Sequence, residues 1–238
     1  MGIVSSLRSM DSVLMPISGI VKKFECPVCG DRIKAFQPFG KLPRPNAQCP
    51  VCKSLERHRL VWLYFREKTN LFEDSLKMLH IAPEPCLSRH LRNLPNVDYV
   101  IADLDPCSAM IEMDITNIPF PDNEFDVIYA SHVLEHIQDD MKAMRELHRV
   151  LAPHGWAILQ VPILAEKTFE DPTVKSPENR ERLFGQNDHV RIYGLDYKDR
   201  LNKAGFRVRV DPFARSLGLE KCRRCGLMEN EDIYYCLK

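Results

Sequence analysis

Downstream of residue 76 the chain alternates short apolar runs with segments whose apolar residues recur three or four positions apart. The runs "KMLHI", "DYVIA", "FDVIYA", "WAILQV", "FRVRV" and "DIYYCL" read as strands. The periodic segments at 87–93, 138–151 and 196–204 read as helices. In the second, Met141, Met144, Leu147, Val150 and Leu151 form one stripe, which closes near Pro153-His154-Gly155. Such alternation predicts an α/β domain with a mainly parallel sheet. Ahead of it, "SLERHRLVWLYFREK" predicts an amphipathic helix with Ser54 as N-cap. Its stripe is Leu55, Leu60, Trp62, Leu63 and Phe65, beside Arg57, Arg59 and Arg66. His58 in that helix reads as a solvated or internally satisfied side chain.

The front of the chain follows a different pattern. "CPVCG" and "CPVCK" place Cys26, Cys29, Cys49 and Cys52 in two tight turns, separated by a segment rich in Gly, Pro and Phe. Two C-x-x-C knuckles let four thiolates converge tetrahedrally on one Zn²⁺. With all four positions filled by protein, such a metal is structural, not catalytic. Phe36 and Phe39 are the large apolar groups available to pack this ribbon onto its neighbour. "CRRCG" (Cys222, Cys225) lacks a matching second knuckle, so its cysteines read as reduced thiols.

Composition adds three constraints. A chain of 238 residues has room for one sizeable core and a small appended module. The balance of 33 basic and 33 acidic residues hides an asymmetry: residues 1–68 carry 12 basic and 5 acidic side chains (net +7), and the remainder carries the compensating −7. There is no run of 18 apolar residues and no clear secretory leader, and the cysteines suit a reducing compartment, so the expected location is cytoplasmic with no membrane span. The opening "MGIVSS" matches the short N-myristoylation pattern and is read as a chance match.

In an open α/β sheet, ligands bind beyond the carboxyl ends of the strands. "APEPC" follows the first strand. "ADLDP" ends the second, with Asp103 21 residues beyond Ala82, where such folds place an acid for the two hydroxyls of a ribose. Asp114 stands in a turn before "PFPDN", and Ser131 and His132 follow "FDVIYA".

The ordered motifs "IPFPDNEFDVI", "HVLEHI" and "RVLAPHGW" resemble the class I S-adenosylmethionine-dependent methyltransferases of the type 11 branch, over roughly residues 77–210. In particular they are similar to versions that carry a cysteine ribbon followed by "SLERHRL". The resemblance implies a Rossmann-like fold with a mostly parallel seven-stranded sheet behind a small zinc ribbon. It also implies an enzyme that uses S-adenosyl-L-methionine. By that resemblance Asp103, with Leu104 beside it, holds the ribose, and Asp114 with Ile115 holds the adenine. Ser131 and His132 lie under the methionine part. "NDHVRIYG", containing Asp188, His189, Arg191 and Tyr193, helps line the acceptor pocket. The first motif, which by the resemblance puts His80, Ala82 and Glu84 at cofactor-binding positions, departs from the family: His80 replaces its acid, and Ala82, Glu84 and Cys86 replace its glycines. Glu84 could accept from the cofactor's ammonium, or be a solvated turn residue.

The expected domains are a lead-in (1–24), a zinc ribbon (25–53), a linking amphipathic helix (54–75) and a methyltransferase domain (76–238) with a lid-like insertion at about 163–190. His132 and His189 are the candidate catalytic bases, because histidine titrates near neutrality; His136 reads as packing its turn. The expected acceptor is a small or glycan-like molecule, methylated at oxygen or nitrogen. Two rivals are an RNA methyltransferase that uses the basic front through Arg57, Arg59 and Arg66, and a non-catalytic zinc-dependent interaction module. Nucleic acid is possible but not favoured, and the sequence leaves the oligomeric state open.

Overall fold

The computed structural model describes residues 23–107 and 110–238; the myristoylation pattern and nearly all of the lead-in lie outside them. A seven-stranded sheet forms the body: β1 (Leu76–Ile81), β2 (Val97–Asp103), β3 (Ile111–Glu112), β4 (Phe125–Ser131), β5 (Leu151–Gln160), β6 (Arg207–Asp211) and β7 (Ile233–Leu237). Their spatial order is β6-β7-β5-β4-β1-β2-β3. β1 to β5 pair in parallel, and β7 runs antiparallel to both of its neighbours. The six expected strands are present. The seventh, β3, is two residues long and has no hydrophobic period of its own to announce it.

Helices cover both faces, so the central strands are apolar on both sides and read as continuous runs. Along β4, Val127 and Tyr129 enter one core layer while Ile128 and Ala130 enter the other. The first layer is roofed by α1 (Glu56–Lys68) and α2 (Pro85–Leu91), the second by α3 (Asp140–Val150) and, after α4 (Pro177–Phe184), by α5 (Tyr197–Ala204). After α3 the chain enters β5 directly. At Gly155 a Cβ would come within 2.7 Å of the Asp126 carbonyl oxygen, so the close β4–β5 approach requires glycine there.

α1 corrects two expectations. Its residues Leu60 to Phe65 are all buried, with no one-sided stripe, because the sheet lies on one side and the ribbon and residues 213–227 on the other. Its N-cap is Leu55, whose N–H donates to His58 Nδ1 (3.1 Å). Ser54 turns instead toward the cysteines, with Oγ 3.3 Å from Cys26 Sγ and 3.1 Å from Cys52 Sγ.

The ribbon consists of two short antiparallel hairpins, Phe24–Glu25 with Arg32–Ile33 and Gln37–Phe39 with Arg44–Gln48. Its four cysteine sulfurs all lie within 4.8 Å of one another. The Cys26–Cys52 and Cys29–Cys49 sulfurs are 3.5 and 3.9 Å apart. A tetrahedron with Zn–S bonds of about 2.3 Å has edges of about 3.8 Å, so the set is compatible with one zinc. Phe36 packs inward as expected, but Phe39 is 42% exposed. The reason is its hairpin, which projects over a cleft and not onto the core.

Candidate functional site

The chain leaves β1 through Ala82, whose φ of +49° is the left-handed conformation a glycine would supply. Alanine bears the modest strain, and its N–H is anchored on the Ala102 carbonyl (2.9 Å). Pro85 opens α2, and Glu84 turns into a pocket of donors. Glu84 Oε2 accepts from His80 Nε2 (2.9 Å) and Oε1 from the Tyr129 hydroxyl (3.2 Å). Because His58 Nδ1 accepts from Leu55, its Nε2 carries the proton, and it lies 3.5 Å from Glu84 Oε1. Burial by itself would raise the Glu84 carboxyl, but the His80 hydrogen bond and the fields of His80 and His58 outweigh it and hold the group at about 2. Burial takes His58 down to about 4, so its ring is charged only below that, in the range where Glu84 itself titrates. His80 is fully buried, its Nδ1 being 2.7 Å from the Tyr99 hydroxyl. His80 therefore acts through Glu84, and Glu84 is a braced internal carboxylate, not a solvated turn residue.

The neighbouring strand ends present the two other acids. Asp103 closes β2 and its Oδ1 accepts from Asp105 N (3.1 Å); Leu104 beside it is exposed. Asp114 follows β3, with Oδ1 accepting from Thr116 N (2.8 Å), while Ile115 is buried. At the end of β4, Ser131 is buried and His132 adopts a φ of +57° while its N–H donates to the Gln160 carbonyl (2.8 Å).

His132 also borders two cavities. One, of about 670 Å³, is walled by Arg57, Gln160, Val161, Leu164, Met228, Glu231 and Tyr234 among others. Gln160 stitches this wall together, donating to the Asp232 carbonyl (2.9 Å) and accepting from Tyr234 N (2.8 Å). Burial pushes the Glu231 carboxyl up to about 7, against the lowering field of Arg57. Nothing near Glu231 in the sequence marks it; its environment is assembled from α1 and the entry to β7.

The second cavity, about 1370 Å³, is an open cleft between the ribbon hairpin at 38–44, the turn after β4 and α4. Arg44 of the hairpin clasps Glu56 with two hydrogen bonds (3.0 and 3.2 Å), and Lys41 pairs with Glu181 of α4. The insertion is ordered as two short strands, Ile163–Ala165 and Phe169–Glu170, on either side of Arg191–Gly194. His189 is buried at the edge of this cleft. Its pKa is lowered by burial, with the opposing field of Glu135 second. Arg191, which the sequence placed only near the pocket, donates to the Leu134, Ile137 and Gln138 carbonyls and to Glu170, so it clamps the turn that carries Glu135 and His136.

Residues 75–159 match the family model described as a methyltransferase domain. Over 54 residues the chain is 42% identical to the 2-phytyl-1,4-naphtoquinone methyltransferase of Nostoc punctiforme, covering 23% of this chain and 24% of that protein. Over 124 residues it is 32% identical to phosphoethanolamine N-methyltransferase 3 of Arabidopsis thaliana, covering 48% and 23%. The matches thus span about a quarter of the length of these curated relatives. An S-adenosylmethionine-dependent methyltransferase from Mesorhizobium loti shares the fold at 12% identity, with a TM-score of 0.52, covering 74% of this chain and 96% of that one. The fold is therefore the Rossmann-like methyltransferase fold. No helix among the described residues is long and apolar enough to cross a membrane.

Proposed function

We propose that this protein transfers the methyl group of S-adenosyl-L-methionine to an oxygen or nitrogen of a small-molecule or glycan-like acceptor, with a structural zinc in its ribbon. The observation that carries the reading is the placement of Asp103 and Asp114 at the ends of adjacent strands, beside a loop that makes its left-handed turn without glycine. The residues fit such a cofactor: two carboxylates suit the paired hydroxyls and amine of an adenosine, and the Ala82 turn brings the backbone to the strand end without a bulky side chain.

When bound, the cofactor would supply an electrophilic sulfonium methyl. Asp103 would hold the ribose hydroxyls, and Asp114 with the Ile115 N–H would hold the adenine. The chain's remaining task is to position an acceptor and exclude water. The ribbon hairpin and the 163–190 insertion wall the acceptor side, and a cavity of about 670 Å³ suits a small molecule. Burial of Arg59 and pairing of Arg44 with Glu56 remove two cations from a nucleic-acid surface, which favours the small acceptor over RNA.

Calorimetry with S-adenosylmethionine tests the cofactor assignment. Asp103→Ala and Asp114→Ala should each weaken binding at least ~10-fold, or about 1.4 kcal/mol. Absence of binding by the wild-type protein at millimolar ligand would sink the reading.

Glu231 and His132 are the groups placed to take a proton from the acceptor. A carboxyl raised to about 7 is a competent base only once deprotonated, so the rate should rise with pH through about 7. Glu231→Gln should flatten that limb of the pH–rate profile, once an acceptor is in hand. An unchanged profile would assign the proton to another group.

A further inference from the structure

The turn after β4 buries a carboxylate that accepts no hydrogen bond from any described residue. It belongs to Glu135, which is 1% exposed. An isolated buried carboxylate costs several kcal/mol, and chains ordinarily meet that cost with Arg, Lys or backbone N–H groups. Here imidazoles surround it. His132 Nδ1 is 3.3 Å from Oε1, and the His136 and His189 rings stand perpendicular with centroids 4.7 Å apart. One ligating atom from each of Glu135, His136 and His189 lies within 4.8 Å of the others.

The cluster is rigidly held. Val190 N donates to the Glu135 carbonyl (2.9 Å), and Arg191 fastens the carbonyls on either side of the turn. His136 Nδ1 lies 3.2 Å from Asp188 Oδ2. A carboxylate on one ring nitrogen is the outer support that leaves the other nitrogen's lone pair for a metal.

We propose that Glu135, His136 and His189 bind a divalent first-row transition metal, with open coordination positions facing the cleft. Two imidazoles and one carboxylate are a donor set for such metals, whereas Mg²⁺ and Ca²⁺ prefer all-oxygen ligands. All three residues border the 1370 Å³ cleft, where open positions would take oxygen donors of an acceptor. That role rests on the methyl-transfer reading; metal binding itself does not.

The test is a Co²⁺ titration of the full chain carrying its ribbon zinc. One cobalt per chain should bind with weak visible bands and without intense near-ultraviolet thiolate-to-cobalt bands, which marks nitrogen and oxygen ligands and not the ribbon. Glu135→Gln should weaken uptake at least ~100-fold, and Asp188→Asn, a change at an exposed support, by ~10-fold. Should Glu135→Gln fold poorly, the half-exposed Asp188 and His136→Gln carry the comparison. Absence of uptake beyond the ribbon at millimolar Co²⁺, or uptake unaffected by these variants, overturns the site. Calorimetry with S-adenosylmethionine on the same samples separates the readings: cofactor binding without cobalt uptake removes only the metal site, and cobalt uptake without cofactor binding removes only the transferase.

Discussion

Arg59→Ala is expected to destabilise the protein by about 4 kcal/mol, a large part of the ~5–15 kcal/mol that holds a domain folded. The side chain is completely buried, and its guanidinium donates to four carbonyls: Cys225 (2.8 Å), Gly226 (2.5 Å), Ala47 (3.0 Å) and Ser54 (2.7 Å). Its Cζ lies 4.0 Å from the centre of the Phe36 ring. Truncation would leave those carbonyls without their donor, each at about 1–3 kcal/mol. It would also uncouple three segments at once: the second knuckle, α1 and the chain reversal at Gly226. Urea unfolding provides the measurement. Arg59→Met, which restores the apolar stem but no donor, should lose nearly as much; full rescue by Met would show that packing and not hydrogen bonding is the source.

Loss of the proposed zinc should have the largest effect. The ribbon's buried apolar residues are few: Val28, Ile33, Phe36 and Ala47 besides the cysteines. Structural zinc contributes ~10–16 kcal/mol in small metal-folded modules, more than this core could supply. A chelator, or Cys49→Ser, should therefore melt the ribbon and expose its thiols to a chromogenic thiol reagent. It should also lower the melting temperature by on the order of 10 °C or more, because α1 loses the layer that covers it. The cysteine cluster also acts on the buried Arg59. Burial lowers the pKa of that guanidinium, and the sulfurs of Cys26, Cys49 and Cys52, with Glu56, oppose the shift. A protein purified without stoichiometric zinc and indifferent to chelation would refute the assignment.

Where the chain's signals are local, the fold could be read directly. Strands buried on both faces are continuous apolar runs, the edge strand β6 alternates with period two, knuckle spacing is set by covalent geometry, and acids at the ends of strands must lie at the sheet's carboxyl edge. For this reason β1, β2, β4, β5, β6 and β7, the four-cysteine cluster and the positions of Asp103 and Asp114 were legible. β3 was not, because two residues carry no period.

What escaped the sequence were side chains whose surroundings come from far along the chain. Arg59 reads as a surface arginine of a basic helix until Cys225, 166 positions away, closes over it. Glu84 reads as a turn acid until His58, His80 and Tyr129 meet around it. Glu135 carries no signal of its own in the sequence; Val190 and Arg191 draw its turn inward beside His189. Periodicity and spacing thus determined the sheet, the ribbon and the edge at which chemistry would lie. Only the tertiary structure decided which charged groups are buried and what they face. The cost of burying a charge depends on every donor brought near it, and those donors belong to no single stretch of chain.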